Sequence, residues 1–301
     1  MNRRDFLKRA ATSALSAGVV GRLTGIGPTA AEAGSGPSEG QSPELKKAVI
    51  LSKLPEMSSL EDRFKLARDS GFHGLEVPPV DLDQARKMRE AAEKAGIELH
   101  SVMYGGWQTP LSSPDTQVAE KGAADIAKAL ESARELGADG VLLVPAVVND
   151  KTRYVEAYER SQKHLRKLAP VAEKLKVRIL VEDVWNNFLL SPLEFARYID
   201  ELKSPWVQAY FDVGNVVAFG WPEDWIRTLG KRIKKVHLKD FKRGPRQWTN
   251  LRDGDVNWPE VRKALHEVGY KGYLTAELPG GDEAYLRDLS ARMDMIINEP
   301  V

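Results

Sequence analysis

The sequence predicts an α/β protein built as a single (β/α)8 TIM barrel, and three observations carry that reading. From residue 47 onward short aliphatic runs alternate with long amphipathic segments, the pattern of parallel strands joined by crossover helices. Eight such pairs follow one another, and a closed barrel of this kind takes about 250 residues. The first strand-to-helix junction, LSKLPEMSS, lacks the Gly-rich phosphate loop that an open doubly wound sheet carries there.

The expected strands are KAVILSK, GLEVP, ELHSVMY, GVLLVPA, RILVED, QAYFDVG, KKVHLKD and YLTAEL. Helical patterns follow them, among them SLEDRFKLARDSG, DLDQARKMREAAEKAG, TQVAEKGAADIAKALESARELG and NWPEVRKALHEVG. Asp81, Ser191 and Asn257 suit N-caps, where a short polar side chain accepts from free backbone N–H groups, and Pro192 and Pro259 suit the first turn. Gly96 and Gly137 fall where a left-handed helix C-cap favours a residue without Cβ.

Residues 1–33 read as a twin-arginine export signal. Arg3 and Arg4 in NRRDFLKRA precede the small, weakly apolar ATSALSAGVV, and TAAEA offers an A-x-A cleavage site. Arg22, Pro28 and the glycines between them interrupt the run of about 18 apolar residues that a membrane helix needs, so stable membrane insertion is not expected. Residues 34–45, rich in Gly, Ser and Pro, form a flexible tether, and residues 46–301 make up the barrel. The twin-arginine export machinery is thus an expected partner, and the expected location is periplasmic or extracellular. Removing Arg3, Arg4, Lys8, Arg9, Arg22, Asp5 and Glu32 from totals of 44 basic and 43 acidic residues leaves 39 basic against 41 acidic. That near-neutrality argues against nucleic acid as a partner. The absence of cysteine excludes thiolate metal sites and cysteine nucleophiles.

Side chains alternate across a strand, so polar residues between apolar neighbours point into a barrel. Glu76, His100, Glu182, Asp212, His237 and Glu277 stand out in this way. Each is expected near the C-terminal end of its strand, the face where barrel enzymes hold their chemistry. Carboxylates converging there repel one another and lose hydration unless a cation offsets them. Glu182, Asp212, His237 and Glu277 come from four consecutive strands and offer three oxygen ligands and one nitrogen, so a divalent metal ion is expected. The set is hard and suits Mn²⁺, Mg²⁺ or Co²⁺, while the imidazole also accommodates Zn²⁺. The competing reading gives each residue its own backbone or ion-pair partner. Glu76 and His100 are expected to meet substrate from the other side of the mouth.

The motifs VEDVWNNF, FDVGNV, KVHLKDF and TAELPGG resemble the xylose-isomerase-like family of (β/α)8 sugar isomerases and epimerases, over residues 47 to 299. The resemblance implies one divalent ion, often Mn²⁺, bound by Glu182, Asp212, His237 and Glu277. It also implies that Glu182 and Glu277 act as the acid/base pair on a bound ketose, and that the barrel is often a homo-oligomer. The chemistry agrees: a proton beside a carbonyl becomes removable when chelation stabilises the enediolate charge. One glutamate then takes the proton and the other returns one.

Further positions bear on the substrate, a sugar or sugar derivative. Arg243 falls where ketose epimerases carry a substrate-binding arginine. Asn215 matches the branch resembling pentulose-phosphate 3-epimerases, whereas free-ketose epimerases have His there, and Phe188 stands where those enzymes place a glutamate. Trp107, Trp185, Trp221, Trp248 and Trp258 lie in or beside expected strand-to-helix loops. Their faces suit the C–H faces of sugars, and Trp185, Asn186, Asn187 and Phe188 are expected to form a pocket rim. The segment KRGPRQWTNLRDGDV is expected to be a lid loop. The expected function is a divalent-metal-dependent sugar isomerase or epimerase. A lyase or hydrolase acting on 3-keto-glycosides with the same metal site, and a noncatalytic sugar-binding barrel, are the alternatives.

Overall fold

The computed structural model describes residues 45–300. The export signal expected at 1–33, and all of the tether except residue 45, lie outside the described residues. Seven parallel strands follow in chain order: β1 (Leu45–Ile50), β2 (Gly74–Val77), β3 (Glu98–Gly105), β4 (Gly140–Leu143), β5 (Arg178–Glu182), β6 (Val207–Asp212) and β7 (Ile233–Leu238). After a short hairpin, β8 (Asp240–Lys242) and β9 (Gln247–Thr249), the eighth barrel strand β10 (Gly272–Ala276) pairs with both β7 and β1 and closes the ring. The helices are α1 (Leu60–Asp69), α2 (Leu82–Ala95), α3 (Thr116–Leu136), α4 (Tyr154–Leu175), α5 (Pro192–Glu201), α6 (Val213–Val217), α7 (Pro222–Leu229), α8 (Trp258–Glu267) and α9 (Glu283–Ile297). The closed (β/α)8 barrel predicted from the alternation is therefore the observed fold. Among the described residues, no helix is long and apolar enough to cross a membrane.

The helix ends follow their local chemistry. Asp81 accepts from the Gln84 N–H at 2.8 Å and Ser191 from the Glu194 N–H at 3.2 Å. Gly96 and Gly137 close α2 and α3 in the left-handed conformation, at φ 71° and 84°. One face of each strand builds the main core: Val49, Leu75, Val141, Val181, Phe211 and Val236 pack in one continuous cluster with helix residues such as Phe64, Ile126, Leu165 and Phe195. The barrel interior holds a separate small apolar layer of Leu142, Leu180 and Tyr210, with Met103 against it. Polar side chains lie above and below that layer.

β7 and the residue after it thread the interior at two-residue steps. Lys235 and His237 are buried, and Lys239 follows immediately beyond the strand. Lys235 belongs to the N-terminal end of the barrel, where its Nζ reaches Asp139 at 2.6 Å and His100 Nδ1 at 3.3 Å. His100 is thus not at the mouth, contrary to expectation. It is the third residue of an eight-residue strand. A register shift between Leu75 and Glu76 pairs Glu76 with Ser101 rather than with His100. His100 stacks on Tyr273 at 4.1 Å, faces Thr275 Oγ1 at 3.1 Å, and lines a cavity of about 570 Å³ at the strand N-termini. Burial, and then the Lys235 charge, push its pKa well below the usual histidine range, so the ring is neutral.

The expected lid loop contains the β8–β9 hairpin, which is tied down at its base. The buried Asp240 carboxylate accepts from the backbone N–H groups of Phe241 and Arg252, each at 2.9 Å, and from Trp258 Nε1 at 3.0 Å. One carboxylate therefore fixes both ends of the β7–α8 connection. Four residues, 243–246, turn the hairpin between Lys242 and Gln247 and bring Trp248 opposite Phe241.

Candidate metal centre

The mouth of the barrel gathers the four residues expected to share a metal. Glu182 ends β5, Asp212 ends β6, His237 is the fifth residue of β7, and Glu277 follows β10 with its N–H donating to the Leu238 carbonyl at 3.1 Å. One potential ligand atom from each lies within 4.8 Å of all the others. His237 Nδ1 is the hub, 2.9 Å from Glu182 Oε1, 3.0 Å from Glu277 Oε2 and 3.8 Å from Asp212 Oδ2. Its other nitrogen, Nε2, faces Glu76 Oε2 at 2.7 Å, and Ser101 Oγ donates to the second Glu76 oxygen at 2.7 Å. A carboxylate on the far nitrogen fixes the ring and leaves Nδ1 pointing at the other three ligands.

Asp212 divides its oxygens. Oδ1 accepts the Asn215 N–H at 2.8 Å and caps α6, while Oδ2 is buried without a hydrogen-bond partner. It lies 3.0 Å from Lys239 Nζ, close enough for an ion pair though not aligned as a hydrogen bond. A buried carboxylate oxygen with only charge beside it is where a cation fits, so the donor set suits a hard divalent ion. Asp183 supports this arrangement from behind: its Oδ1 accepts the Asp212 N–H and its carbonyl accepts from Asn215 Nδ2, both at 2.8 Å.

Electrostatics separate the two glutamates. Burial raises the Glu182 carboxyl to about 7, against the opposing pull of His237. Glu277 is also penalised by burial, but His237 and Lys239 outweigh that and hold it well below the carboxylate range. Burial also raises Asp183, with Asp212 adding to it, and raises Asp212 in spite of Lys239. Burial pulls the Lys239 ammonium down, yet Asp212, Glu277 and Glu182 overcome this and keep it firmly protonated.

Above the cluster opens a pocket of about 390 Å³, lined by Glu182 and Glu277 and by Trp107, Trp185, Trp248, Asn215 and Lys239 among others. Trp185 stacks on Trp248 with centroids 5.1 Å apart and donates from Nε1 to the Asn215 carbonyl at 2.9 Å. Trp185 and Asn215 are thus beside the cluster, although much of Asn215 is committed to Asp183 and Asp212. The other expectations fare differently. Glu76 is fully buried and touches His237 rather than the pocket. Arg243 does not line the pocket. It donates from Nε to the Val217 carbonyl at 2.8 Å and from its NH2 nitrogen to the Gly220 carbonyl at 2.9 Å, and lies over Trp221. Phe188 is buried among Tyr154, Tyr158 and Tyr198, its N–H donating to Asn186 Oδ1 at 3.2 Å, and forms no part of this rim. Trp258 is buried under Asp240.

Sequence reasoning missed Lys239, whose Nζ sits 2.8 Å from Glu277 Oε2 as well as 3.0 Å from Asp212 Oδ2. The signal was present: continuing the two-residue alternation from His237 reaches Lys239. Gly214 shares in this placement, since a Cβ there would lie 2.3 Å from the Lys239 Cβ. Only glycine lets α6 approach the end of β7 so closely.

Comparison with known proteins places these features in a wider group. A family model described as xylose isomerase-like TIM barrel matches residues 64–295. L-ribulose-5-phosphate 3-epimerase UlaE of Escherichia coli O157:H7 is 28% identical over 275 residues, spanning 84% of this chain and 96% of the relative. Among solved structures, D-psicose 3-epimerase in the presence of D-fructose superposes with a TM-score of 0.71 at 18% identity, covering 84% of this chain and 99% of that one. The 3-keto-D-glucoside 4-epimerase YcjR of E. coli gives a TM-score of 0.72 at 15% identity, covering 84% and 99%. At these identities the two structures attest the fold.

Proposed function

Because the chain belongs to the xylose isomerase-like TIM barrel family, we propose that it is a divalent-metal-dependent sugar isomerase or epimerase that moves a proton beside a carbonyl. The observation that carries this reading is the convergence of Glu182, Asp212, His237 and Glu277 beneath a pocket lined with tryptophan, with Asp212 Oδ2 buried and lacking a hydrogen-bond partner. The relatives' epimerase activity supports it. A bound divalent ion supplies positive charge against the substrate's carbonyl and hydroxyl oxygens. Mn²⁺ is the first candidate for a site of three carboxylates and one imidazole.

The chain's own residues do the rest. One of Glu182 and Glu277 takes the proton beside the carbonyl, and the other returns one to the adjacent position or opposite face. Glu76 keeps His237 in a single tautomer. Trp185 and Trp248 cover the C–H face of the sugar and exclude water.

The substrate we favour is a free or oxidised sugar rather than a sugar phosphate. Among the described residues lining the pocket, Lys239 is the only Lys or Arg. A phosphate dianion calls for arginine or lysine to spare. Export through the signal at Arg3 and Arg4 agrees with such a substrate. The same pocket suits a 3-keto-glycoside, from which proton removal would expel the aglycone. Incubation with free ketoses, sugar phosphates and 3-keto-glycosides in D₂O tests the reading: deuterium enters beside the carbonyl, without release of a leaving group for epimerisation or with it for elimination. No exchange with any of the three classes overturns it.

A further inference from the structure

The position of Lys239 goes beyond the ligand set. Its ammonium lies 3.0 Å from Asp212 Oδ2 and 2.8 Å from Glu277 Oε2, carboxylate oxygens of two of the four residues that converge on the candidate metal position. A divalent ion taking both oxygens at about 2.0–2.6 Å leaves an ammonium no room among them and repels it. The side chain has somewhere to go. Asn215 Oδ1 lies 3.5 Å from Nζ, the Trp248 ring centroid lies 5.4 Å away, and all three residues line the substrate pocket.

We propose that Lys239 is an exchangeable counter-cation: it holds Asp212 and Glu277 together until a divalent ion arrives, then moves toward Asn215 and Trp248 to donate to a substrate oxygen. The inference rests on the metal-dependent reading of this site. In the metal-free protein the ammonium preserves the ligand cluster, since two carboxylates without it face each other at close range. In the loaded protein the same ammonium stands at the pocket floor as a hydrogen-bond donor and the only cationic one among its described lining residues. Metal loading and completion of the substrate site are thereby linked through one side chain.

Two measurements test this. Calorimetric titration of metal-free wild type, Lys239→Met and Lys239→Gln with MnCl₂ is expected to show at least tenfold tighter binding in both variants, because no ammonium has to be displaced. Unchanged or weaker binding overturns the proposal. Acetic anhydride labelling of the wild-type protein, read by peptide mass spectrometry, is expected to modify Lys239 faster with Mg²⁺ or Mn²⁺ present than after chelation. An equal or slower rate with metal shows that the ammonium stays in place and also overturns the proposal, whatever the fate of the variants. Wild-type protein that binds no divalent ion defeats the underlying metal reading itself, whereas normal wild-type binding with unaltered variants defeats only the role of Lys239.

Discussion

Glu76 and His237 meet at 2.7 Å across the barrel interior, and this contact fixes which nitrogen of His237 serves the site. Nε2 is engaged with Glu76, so Nδ1 faces Glu182, Glu277 and Asp212. Removing the carboxylate frees the ring to turn and lowers its basicity. Glu76→Gln is expected to weaken Mn²⁺ binding about 10- to 100-fold while the protein still folds. Calorimetry checks the affinity and circular dichroism the fold; unchanged affinity would show that Glu76 does not orient the ligand.

Glu182→Gln and Glu277→Gln should each reduce proton exchange by about 10²–10⁴-fold or more, since each loses both a metal ligand and an acid/base group. Their melting temperatures should not fall by the same measure, because each substitution also relieves charge repulsion in a buried cluster. Activity close to wild type in either variant contradicts the assignment.

The acidity of the cluster gives the metal-free protein an unusual pH response. Glu182 titrates near 7 in the folded state against an ordinary value of 4.5, so between those values the folded protein holds a proton that the unfolded chain has released. Stability therefore falls as pH rises through that window, and the raised carboxyls of Asp183 and Asp212 act in the same direction. The depressed Glu277 opposes this only below its ordinary pKa. EDTA-treated protein should melt higher at pH 5 than at pH 7, whereas Mn²⁺ affinity should rise with pH as the ion displaces the Glu182 proton. Thermal melts that rise toward pH 7 without metal would contradict this picture.

Trp248 rests on the hairpin, stacked on Trp185, and lines the pocket beside the four-residue cluster. Trp248→Ala should raise KM about tenfold through lost sugar stacking, with a smaller change in kcat. Arg243→Ala is the contrasting case. Because Arg243 spends its donors on the Val217 and Gly220 carbonyls, its loss should lower stability and leave KM nearly unchanged. A large rise in KM would restore Arg243 to the substrate site.

The barrel was legible because its signal is repeated: eight apolar runs, capped helices, and polar residues at strand ends. His237 and Asp212 could be read from alternation alone, since each is flanked by apolar residues that pack outward. What stayed hidden depended on geometry that a single strand does not encode. The register shift beside Glu76 sets it against Ser101, and no local pattern announces such a shift. Arg243 is drawn away by carbonyls more than twenty residues distant in the chain, and Phe188 by a tyrosine cluster contributed from α4 and α5. Lys239 lies within the expected strand KKVHLKD, two residues beyond His237, but a lysine at a strand end reads equally well as a solvated charge.

The most direct test of the central claim is solvent-deuterium incorporation into a free ketose or 3-keto-glycoside by the Mn²⁺-loaded protein, compared with the same protein after chelation. The account predicts deuterium at the carbon beside the carbonyl with metal, loss of that exchange after chelation, and recovery when Mn²⁺ is restored. Exchange that continues undiminished in the chelated protein would contradict it.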